Sequence, residues 1–323
     1  MASGNTSFSA VITRTLQAHG TEIFDAVSGS NALLWTLRKK GNVKVKSGGR
    51  TFTHPVIFDT NSSFRTYTKY EAIDVPDPDV LTRAEYNVRI LAGSTVLSDL
   101  ELAQNAGDRE KLLDYADEKK QETQISMNEA AANQIWQASP GANDWDSIPN
   151  LINGTPSTQT NVGGIDPSAT DNAYWRNQTY TTAVTAFNTS SAGLTMLSTL
   201  LNDCSHGTYG PKIVVTTKAI WGLYDVGLAG NKRYGHADYA DAGFQNLDYA
   251  GMPVLADSRC VTSALFMIDT DSLQLQVLKQ GNFVTGSFVR PANQLSEIAI
   301  TRAYCNLTCG QRRTQGRATN ITG

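Results

Sequence analysis

The sequence predicts an α+β protein in which a long helix and a projecting β-hairpin extend from a separate α/β unit. Residues 108–139 contain neither glycine nor proline, although the chain has 26 glycines and 10 prolines. One helix of that length would extend roughly 48 Å at a rise of about 1.5 Å per residue, more than the diameter of a small domain. Residues 42–70 instead show the alternation typical of strands, and residues 174–282 mix helical and strand patterns as α/β units do.

Residues 1–41 are predicted to form an N-terminal arm with two short helices. An apolar face indicates the first helix, and it consists of Ile23, Phe24 and Val27. The second helix has an N-cap, an apolar stripe, a basic last turn and a terminating glycine. These features are, in order, Ser30; Leu33, Leu34 and Leu37; Arg38, Lys39 and Lys40; and Gly41. Both helices need a partner surface against which to bury their apolar faces.

Residues 42–75 are predicted to form a long hairpin that projects from the body. Val43 and Val45 alternate with Lys44 and Lys46, and a Ser-Gly-Gly turn follows at 47–49. Residues 51–59 and 64–70 then have the composition of strands. The prolines at positions 76 and 78 make the next segment a stiff connector, since proline fixes its own backbone and restricts the preceding residue.

Residues 76–150 are predicted to be a peripheral domain that contains the long helix at 108–139. Residues 117–124, in the middle of this helix, include no apolar side chain. The flanking turns carry apolar stripes, formed by Leu112, Leu113 and Ala116 on one side and by Met127, Ala131 and Ile135 on the other. We therefore expect the two ends to pack and the centre to face water or another chain.

Residues 151–282 are predicted to be an α/β domain, and residues 283–323 to return strands to the peripheral domain before a tail. Helices are expected at 191–202 and 219–227, and strands at 212–216, 253–256, 265–269 and 273–278. Phe283, Phe288, Ile298 and Ile300 indicate a sheet in the returning segment, beside the long helix. The peripheral domain would then be built from two distant parts of the chain.

Charge is segregated along the first third of the sequence. Residues 38–69 hold eight lysines and arginines against one acid, whereas residues 71–110 hold nine acids against three arginines. A projecting basic hairpin and an acidic platform are expected to pair between neighbouring copies. The alternative is that each charge run is a solvated surface.

Several other functions lack support in the sequence. A net charge of -3 nominates neither nucleic acid nor a membrane as a partner, and a polar N-terminus without a signal segment favours reduced cysteines. A zinc site from Cys204, His206, Cys305 and Cys309 would need spacings that do not match, and the phosphate-binding loop motifs fail. His236 near Asp238 and Asp241 is read as a solvated loop histidine. Arg302, Arg312, Arg313 and Arg317 form either a modest basic patch or a solubilising tail.

In this order, the segments resemble the major capsid protein of tailed bacteriophages, with the fold known from the Hong Kong 97 phage. Short stretches throughout the chain support the resemblance. They are Pro55-Val56-Ile57, Gly163-Gly164-Ile165-Asp166, Tyr174-Trp175-Arg176-Asn177, Ala240-Asp241-Ala242-Gly243-Phe244-Gln245-Asn246-Leu247 and Gly251-Met252-Pro253-Val254.

The resemblance implies a structural protein with no catalytic residues, metal or cofactor. Many copies would form hexameric and pentameric capsomers of an icosahedral shell around double-stranded DNA, held by non-specific contacts. The shell would assemble in the host cytoplasm and persist in the virion, with possible scaffolding, portal and decoration proteins and no membrane. A cellular nanocompartment shell of the same fold, enclosing cargo protein, is the alternative, and a small soluble hydrolase is a distant one.

The resemblance also assigns roles to segments. The hairpin would be the E-loop lying over a neighbouring subunit, the long helix the spine of the P-domain, and the α/β unit the A-domain at capsomer centres, with residues 227–240 facing the axis. The implied intersubunit contacts are Lys44, Lys46, Arg50, Arg65, Lys69, Glu71, Asp77, Asp79, Asp114, Asp117 and Glu118.

The resemblance raises two further possibilities. Some members join a hairpin lysine to asparagine, for which Lys44, Lys46 or Lys69 with Asn293 or Asn306 are candidates, although ordinary surface lysines are favoured. With about forty residues before the hairpin, a separate scaffolding protein or none is expected.

Overall fold

The computed structural model describes residues 32–73, 75, 78–100, 109–185, 187–188, 191–227 and 246–322, without the side chains of residues 109–117, 120, 124 and 246. The helices are α1 Ala32–Lys39, α2 Arg109–Trp136, α3 Ile148–Leu151, α4 Ala192–Cys204 and α5 Lys218–Gly227. The strands up to the middle of the chain are β1 Val43–Lys46, β2 Thr51–Ile57, β3 Leu81–Asn87, β4 Arg89–Ser98, β5 Gln178–Tyr180 and β6 Ile213–Thr216. The later strands are β7 Asn246–Tyr249, β8 Met252–Ala256, β9 Leu265–Ile268, β10 Leu273–Leu278, β11 Val284–Thr285, β12 Ser296–Cys309 and β13 Gly316–Ala318.

Helix α1 ends as its sequence predicts. The backbone N–H of Asn42 donates to the carbonyl of Leu37 at 2.8 Å, and Gly41 has a φ of 70°. This geometry is a C-terminal cap that favours glycine, because a side chain there would strain the left-handed backbone. Leu33 and Leu37 are fully buried, as the apolar stripe predicts. The residues assigned to the first arm helix and to the N-cap, Ser30, lie outside the described part of the chain.

A five-stranded sheet supports the long helix α2. Its order is β1-β10-β12-β11, and β4 pairs with β12. The 14-residue strand β12 joins the two halves, because its last residues pair with β10 and its first ten pair with β4. Helix α2 packs on β4 through Met127, Ala131 and Ile135, which are buried as predicted.

The middle of α2 is only partly solvated. Glu118 and Glu122 are exposed, but Thr123 is buried and its hydroxyl lies 2.8 Å from that of Thr95 on β4. The polar centre predicted for this helix therefore has one side against the sheet. The helix ends at Trp136, before the predicted boundary at 139, and Asp144 accepts hydrogen bonds from Gln134 and Gln137 at this end.

A six-stranded mixed sheet forms the α/β unit. Its order is β5-β13-β9-β6-β8-β7. The sheet packs against α4 and α5 through Met196, Leu200 and Ile220, all buried. Both helices and the strands at 212–216, 253–256 and 265–269 were predicted within one or two residues. Their short apolar runs are those of strands covered by helices.

The sheets to which β10 and β13 belong differ from the prediction. Strand β10 falls within the predicted α/β segment, yet it pairs with β1 and β12 in the five-stranded sheet. Strand β13 falls within the predicted C-terminal tail, yet it pairs with β5 and β9 in the six-stranded sheet. The chain passes between the two sheets twice, from β9 to β10 and from β12 to β13, and hydrogen bonds join these two connections. The Asp269 carboxylate accepts from the Thr314 hydroxyl at 2.9 Å, and the Asp269 N–H donates to the Gln315 side chain at 3.0 Å.

The hairpin is built differently from the prediction. Its two strands are β2 and β3, so residues 51–57 pair with 81–87 and not with 64–70. Residues 64–70 form no strand because local hydrogen bonds hold this stretch: the Tyr67 hydroxyl donates to the Ser63 carbonyl at 2.7 Å, and the Thr68 N–H donates to Glu71 at 3.1 Å. Strand β1, predicted to be part of the hairpin, pairs parallel to β10 instead.

Among the described residues, no helix combines the length and apolarity needed to cross a bilayer.

Candidate assembly surfaces

The base of the hairpin is anchored in the core of the five-stranded sheet. Phe52 on β2 and Tyr86 on β3 are both 1% exposed. The Tyr86 hydroxyl donates to the carbonyl of Cys309 at 2.9 Å, and burial raises its pKa. Gly163 presses against the Tyr86 ring, and its carbonyl accepts from the N–H of Glu85 at 2.7 Å. These contacts fix the direction in which the hairpin leaves the body.

His54 is a buried polar member of this anchor. Its Nε2 atom accepts from the Gln276 amide at 2.8 Å and lies 2.9 Å from the Thr308 hydroxyl. Burial, and to a smaller degree the charge of Lys46, lowers the pKa of His54 from 6.5 to about 4. The imidazole is therefore neutral at pH 7, as an acceptor on Nε2 requires.

The tip of the hairpin is apolar and has little cover from its own chain. Phe58 still stacks on Tyr174, with ring centroids 5.2 Å apart. Beyond it, the described part of the tip exposes large apolar side chains. The exposed fractions are 88% for Phe64, 90% for Tyr70, 69% for Ile73 and 88% for Val75. Several large exposed apolar side chains within one segment are typical of an interaction surface.

The tip is not basic, which corrects one part of the charge interpretation. Residues 58–75, which include all four exposed apolar side chains, hold two basic and three acidic side chains, and two of these, Arg65 and Glu71, pair with each other at 2.6 Å. The Thr68 N–H and then Arg65 lower the pKa of Glu71. The basic surplus lies instead at the base and in α1, because Lys44 and Lys46 are on β1 and Arg50 is in the loop before β2.

The structure distributes the predicted contact residues over three regions. Arg65, Lys69 and Glu71 are exposed at the tip, and Asp79 is exposed just before β3. Lys44 and Arg50 are exposed near the base, and Lys46 is half-buried there. Glu118 is exposed on α2. Asp77 and the side chains of Asp114 and Asp117 lie outside the described part of the chain, as do residues 228–240.

A second apolar surface, not predicted from the sequence, lies on the sheet. We call it the outer face: the side of β4, β12 and the adjoining residues that points away from α2. Its exposed apolar side chains are Ile90, Val96, Val284, Val289 and Ile300. On β4 these residues alternate with buried Leu91, Thr95 and Leu97. This alternation along β4 was the feature from which the outer face could have been predicted. In the structure, it shows that no described residue covers this side of the sheet.

The predicted C-terminal arginine patch does not form. Arg312 is fully buried and donates to the carbonyls of Leu151 at 2.8 Å and Trp175 at 3.0 Å, and to the side chains of Gln159 and Asn177. Burial lowers its pKa to about 10. Arg317 is half-buried over the Phe266 ring, whereas Arg302 and Arg313 are exposed. The four arginines therefore do not share one surface, because a guanidinium whose N–H groups find enough carbonyl acceptors can be buried and link segments inside the protein.

The cysteines are structural. Cys204 lies in the core of the α/β unit, whereas Cys305 and Cys309 lie in the other core, and all are buried as free thiols. Burial raises the pKa of each thiol, to about 12 for Cys309. Within the described ranges, no group of three or more His, Cys, Asp or Glu side chains has metal-binding geometry. His236 lies outside these ranges.

The crosslink candidates are separated by the fold. Asn306 is fully buried, and its amide donates to the Asn87 carbonyl and to Asp146, each at 2.8 Å. Asn293 is exposed in the turn before β12. Within one chain, therefore, only Asn293 of the two is on the surface.

Comparison with known proteins places this architecture in one structural class. No protein-family model matches the chain, and no curated protein does. Among solved structures, the capsid asymmetric unit of cyanophage A-1(L) superposes with a TM-score of 0.67 at 12% identity, covering 88% of this chain and 91% of that one. The capsid of a native GTA particle gives a TM-score of 0.56 at 12% identity, covering 89% and 91%. The SrpI encapsulin of Synechococcus elongatus PCC 7942 gives 0.51 at 9% identity, covering 90% and 88%.

The chain therefore has the capsid-protein fold of the Hong Kong 97 type. This confirms the predicted fold class over nearly the whole sequence. At 9–12% identity, the likeness establishes the fold alone.

Proposed function

We propose that this chain is the major capsid protein of a tailed bacteriophage, which self-assembles into an icosahedral shell around double-stranded DNA. The observation that carries the proposal is a hairpin with a buried, hydrogen-bonded base and an exposed apolar tip. A monomeric protein gains nothing from holding four large apolar side chains in water at the end of an anchored arm. A protein that places this arm on a neighbour does.

The outer face is the surface on which we place the tip of a neighbouring copy. Both surfaces are apolar, and Arg65 and Glu71 of the tip already pair with each other, which limits the cost of desolvating charge. Burying Phe64, Tyr70, Ile73 and Val75 would contribute roughly 6–10 kcal/mol of gross apolar free energy per copy. The entropy of association offsets much of this gain, so each contact is individually weak and the closed shell is stable through their number.

The charged residues supply a second kind of contact in this proposal. Lys44, Lys46 and Arg50 near the base, with Lys69 at the tip, meet acids of a neighbouring copy, whereas Arg65 and Glu71 pair within one chain. Those acids are Asp77, Asp79, Asp114, Asp117 and Glu118. Such pairs set register and partner choice more than affinity.

The domain roles follow the same proposal. The hairpin of β2 and β3 acts as the extended loop, the five-stranded sheet with α2 as the peripheral domain, and the six-stranded sheet with α4 and α5 as the axial domain, after an arm at 1–41. Hexameric and pentameric capsomers form around the axial domains. DNA is held through non-specific contacts, scaffolding, portal and decoration proteins are candidate partners, and assembly takes place in the host cytoplasm. The chain acts as a structural protein without catalysis.

A nanocompartment shell is the second candidate. It is favoured by the encapsulin match and by the virus-like particle of Pyrococcus furiosus, which superposes with a TM-score of 0.52 at 10% identity. The TM-score of 0.67 to the cyanophage capsid favours the phage function. The nucleic acid and protein contents of purified particles distinguish the two: DNA supports the capsid, and a co-purifying cargo protein supports the nanocompartment.

The assembly proposal is tested by expressing the chain and measuring particle mass by light scattering and electron microscopy. The wild type is expected to form particles of megadalton mass. The double variant Phe64→Ser, Ile73→Ser is expected to stay small with an unchanged unfolding midpoint, since both side chains are exposed in the monomer. Ser62→Ala, an exposed polar change in the same tip, is the matched control. A wild-type chain that remains a small oligomer would contradict the proposal and favour the hydrolase alternative.

A further inference from the structure

The outer edge of strand β4 is long and unpaired among the described residues. Strand β4 has ten residues, and all of them pair with β12 along one side. The Gly286 N–H donates to the Ile300 carbonyl at 2.9 Å, and Val289 exchanges hydrogen bonds with Ile298. Ile298 and Ile300 therefore direct their backbone groups away from β4, and the odd-numbered residues of β12 direct theirs toward it. These odd-numbered residues face odd-numbered residues of β4, which use their own backbone groups in that pairing. The even-numbered residues of β4 consequently direct their N–H and C=O groups outward, and they are Ile90, Ala92, Ser94, Val96 and Ser98.

Two other edge strands in the described part of the chain, β2 and β1, carry features that discourage pairing. On β2, Pro55 has no N–H to donate, and it lies on the side away from β3. Strand β1 has four residues, two of them the lysines at positions 44 and 46. Strand β4 has no proline, and no charge between its ends. An edge of this kind is a template for another strand.

The charges at the two ends of β4 select its partner. Arg89 begins the strand, and Asp99 follows its last residue as the first residue of a helical turn, where its N–H still donates to the Leu295 carbonyl at 3.2 Å. Antiparallel pairing of two copies about Ser94 sets Arg89 of each opposite Asp99 of the other, whereas parallel pairing would set like charges side by side. Within one chain Asp99 also pairs with Arg290, and the charge of Arg89 acts on Asp144 and Asp146. The Arg89 Nε atom is buried and has no hydrogen-bond partner among the described residues.

The same register satisfies the backbone. With Ser94 on a two-fold axis, Ala92 faces Val96 of the second copy and Ile90 faces Ser98. All five outward residues then meet outward residues, which allows about ten backbone hydrogen bonds. The centre of the edge is open, since Ala92, Gly93 and Ser94 are all exposed. Gly93 lies between Ala92 and Ser94, and a side chain at this position would point toward α2.

We propose that β4 pairs antiparallel with β4 of a second copy across a two-fold axis through Ser94, which joins two five-stranded sheets into one. The inference rests on the proposed self-assembly, and it identifies which copies share a backbone interface. The joined sheets also double the width of the outer face, on which the hairpin tips would lie.

Cysteine crosslinking tests both the pairing and its register. Paired residues in such a ladder have Cα atoms about 5.5 Å apart, within the span of a disulfide. Ser94→Cys particles treated with diamide are expected to lose the monomer band to a dimer band on a non-reducing gel. Ala92→Cys alone should stay monomeric, because its two copies would be roughly 13 Å apart along the strand. The double variant Ala92→Cys, Val96→Cys should crosslink.

A proline variant tests the backbone contribution. Ser94→Pro removes an outward N–H and leaves the β4–β12 ladder intact, as Pro55 does in β2, so the monomer is expected to keep its unfolding midpoint and to lose particle formation. Wild-type particles with no Ser94→Cys dimer, or with equal crosslinking of Ala92→Cys alone, would overturn the pairing while leaving the shell function standing. Failure of the wild type to form particles would instead refute the shell function.

Discussion

Acidification is expected to destabilise the hairpin base through His54. In the folded chain this imidazole is neutral and accepts from Gln276, and its pKa is lowered to about 4. In the unfolded chain, it titrates near its ordinary value of 6.5. Protonation therefore favours the unfolded state. The stability that the neutral His54 imidazole contributes is fully present above pH 6.5 and is lost as the pH falls toward 4.

The size of the effect follows from the two pKa values. Complete protonation of a group whose pKa falls from 6.5 to about 4 costs about 3.4 kcal/mol, at about 1.4 kcal/mol per tenfold change in affinity. At pH 5, the unfolded histidine is almost fully protonated and the folded one is still mostly neutral. The loss there is about 2 kcal/mol relative to pH 7.5, a large share of a typical domain stability.

The measurement is urea unfolding of the unassembled chain at pH 7.5 and pH 5.0, compared with His54→Gln. Acidic and basic groups elsewhere titrate equally in both chains, so the difference between their pH dependences isolates His54. The wild type is expected to lose about 2 kcal/mol more than the variant. Equal pH dependence of the two chains would refute the argument that this imidazole is buried and neutral.

Three further predictions concern the same anchor and the charges beside it. Tyr86→Phe leaves the Cys309 carbonyl without its donor and is expected to cost about 1–2 kcal/mol in urea unfolding. Gly163→Ala is expected to cost more than about 2 kcal/mol, because a Cβ there would lie 2.8 Å from the Tyr86 ring at a φ of 61°, whereas Gly48→Ala meets nothing within 4 Å and should be neutral. Reversing both Lys44 and Lys46 to Glu is expected to impair particle formation in light scattering without unfolding the monomer. Unchanged particle yield would refute the charge pairing.

Local patterns accounted for much of the secondary structure. Helix α1 was predicted from its stripe and terminal glycine, and α2 from a long run without glycine or proline. The apolar runs at 212–216 and 265–269 are strands in the structure, because a short buried β-branched run has few alternatives. The strand predicted at 64–70 was wrong, because side-chain hydrogen bonds such as that of Tyr67 compete with strand pairing. The amino-acid composition of the segment does not reveal these hydrogen bonds.

The candidate assembly surfaces were less predictable. The whole projecting hairpin was predicted to be basic, but Arg65 pairs with Glu71 at 2.6 Å, and the lysines of β1 lie at the base. The buried state of Arg312 was also missed. Whether an arginine is a surface charge or an internal tie depends on carbonyls contributed by residues more than a hundred positions away, at Leu151 and Trp175.

The sequence alone determined that this protein has a spine-like helix, an extended hairpin and an α/β unit, because periodicity, caps and breakers act over a few residues. The tertiary structure decided which sheet β10 and β13 join, which strand completes the hairpin, and that β4 is left with an open edge. These are choices among strands of similar composition. They are made by packing and hydrogen bonding between segments up to 254 residues apart, as in the contact of His54 with Thr308, and no local pattern encodes them.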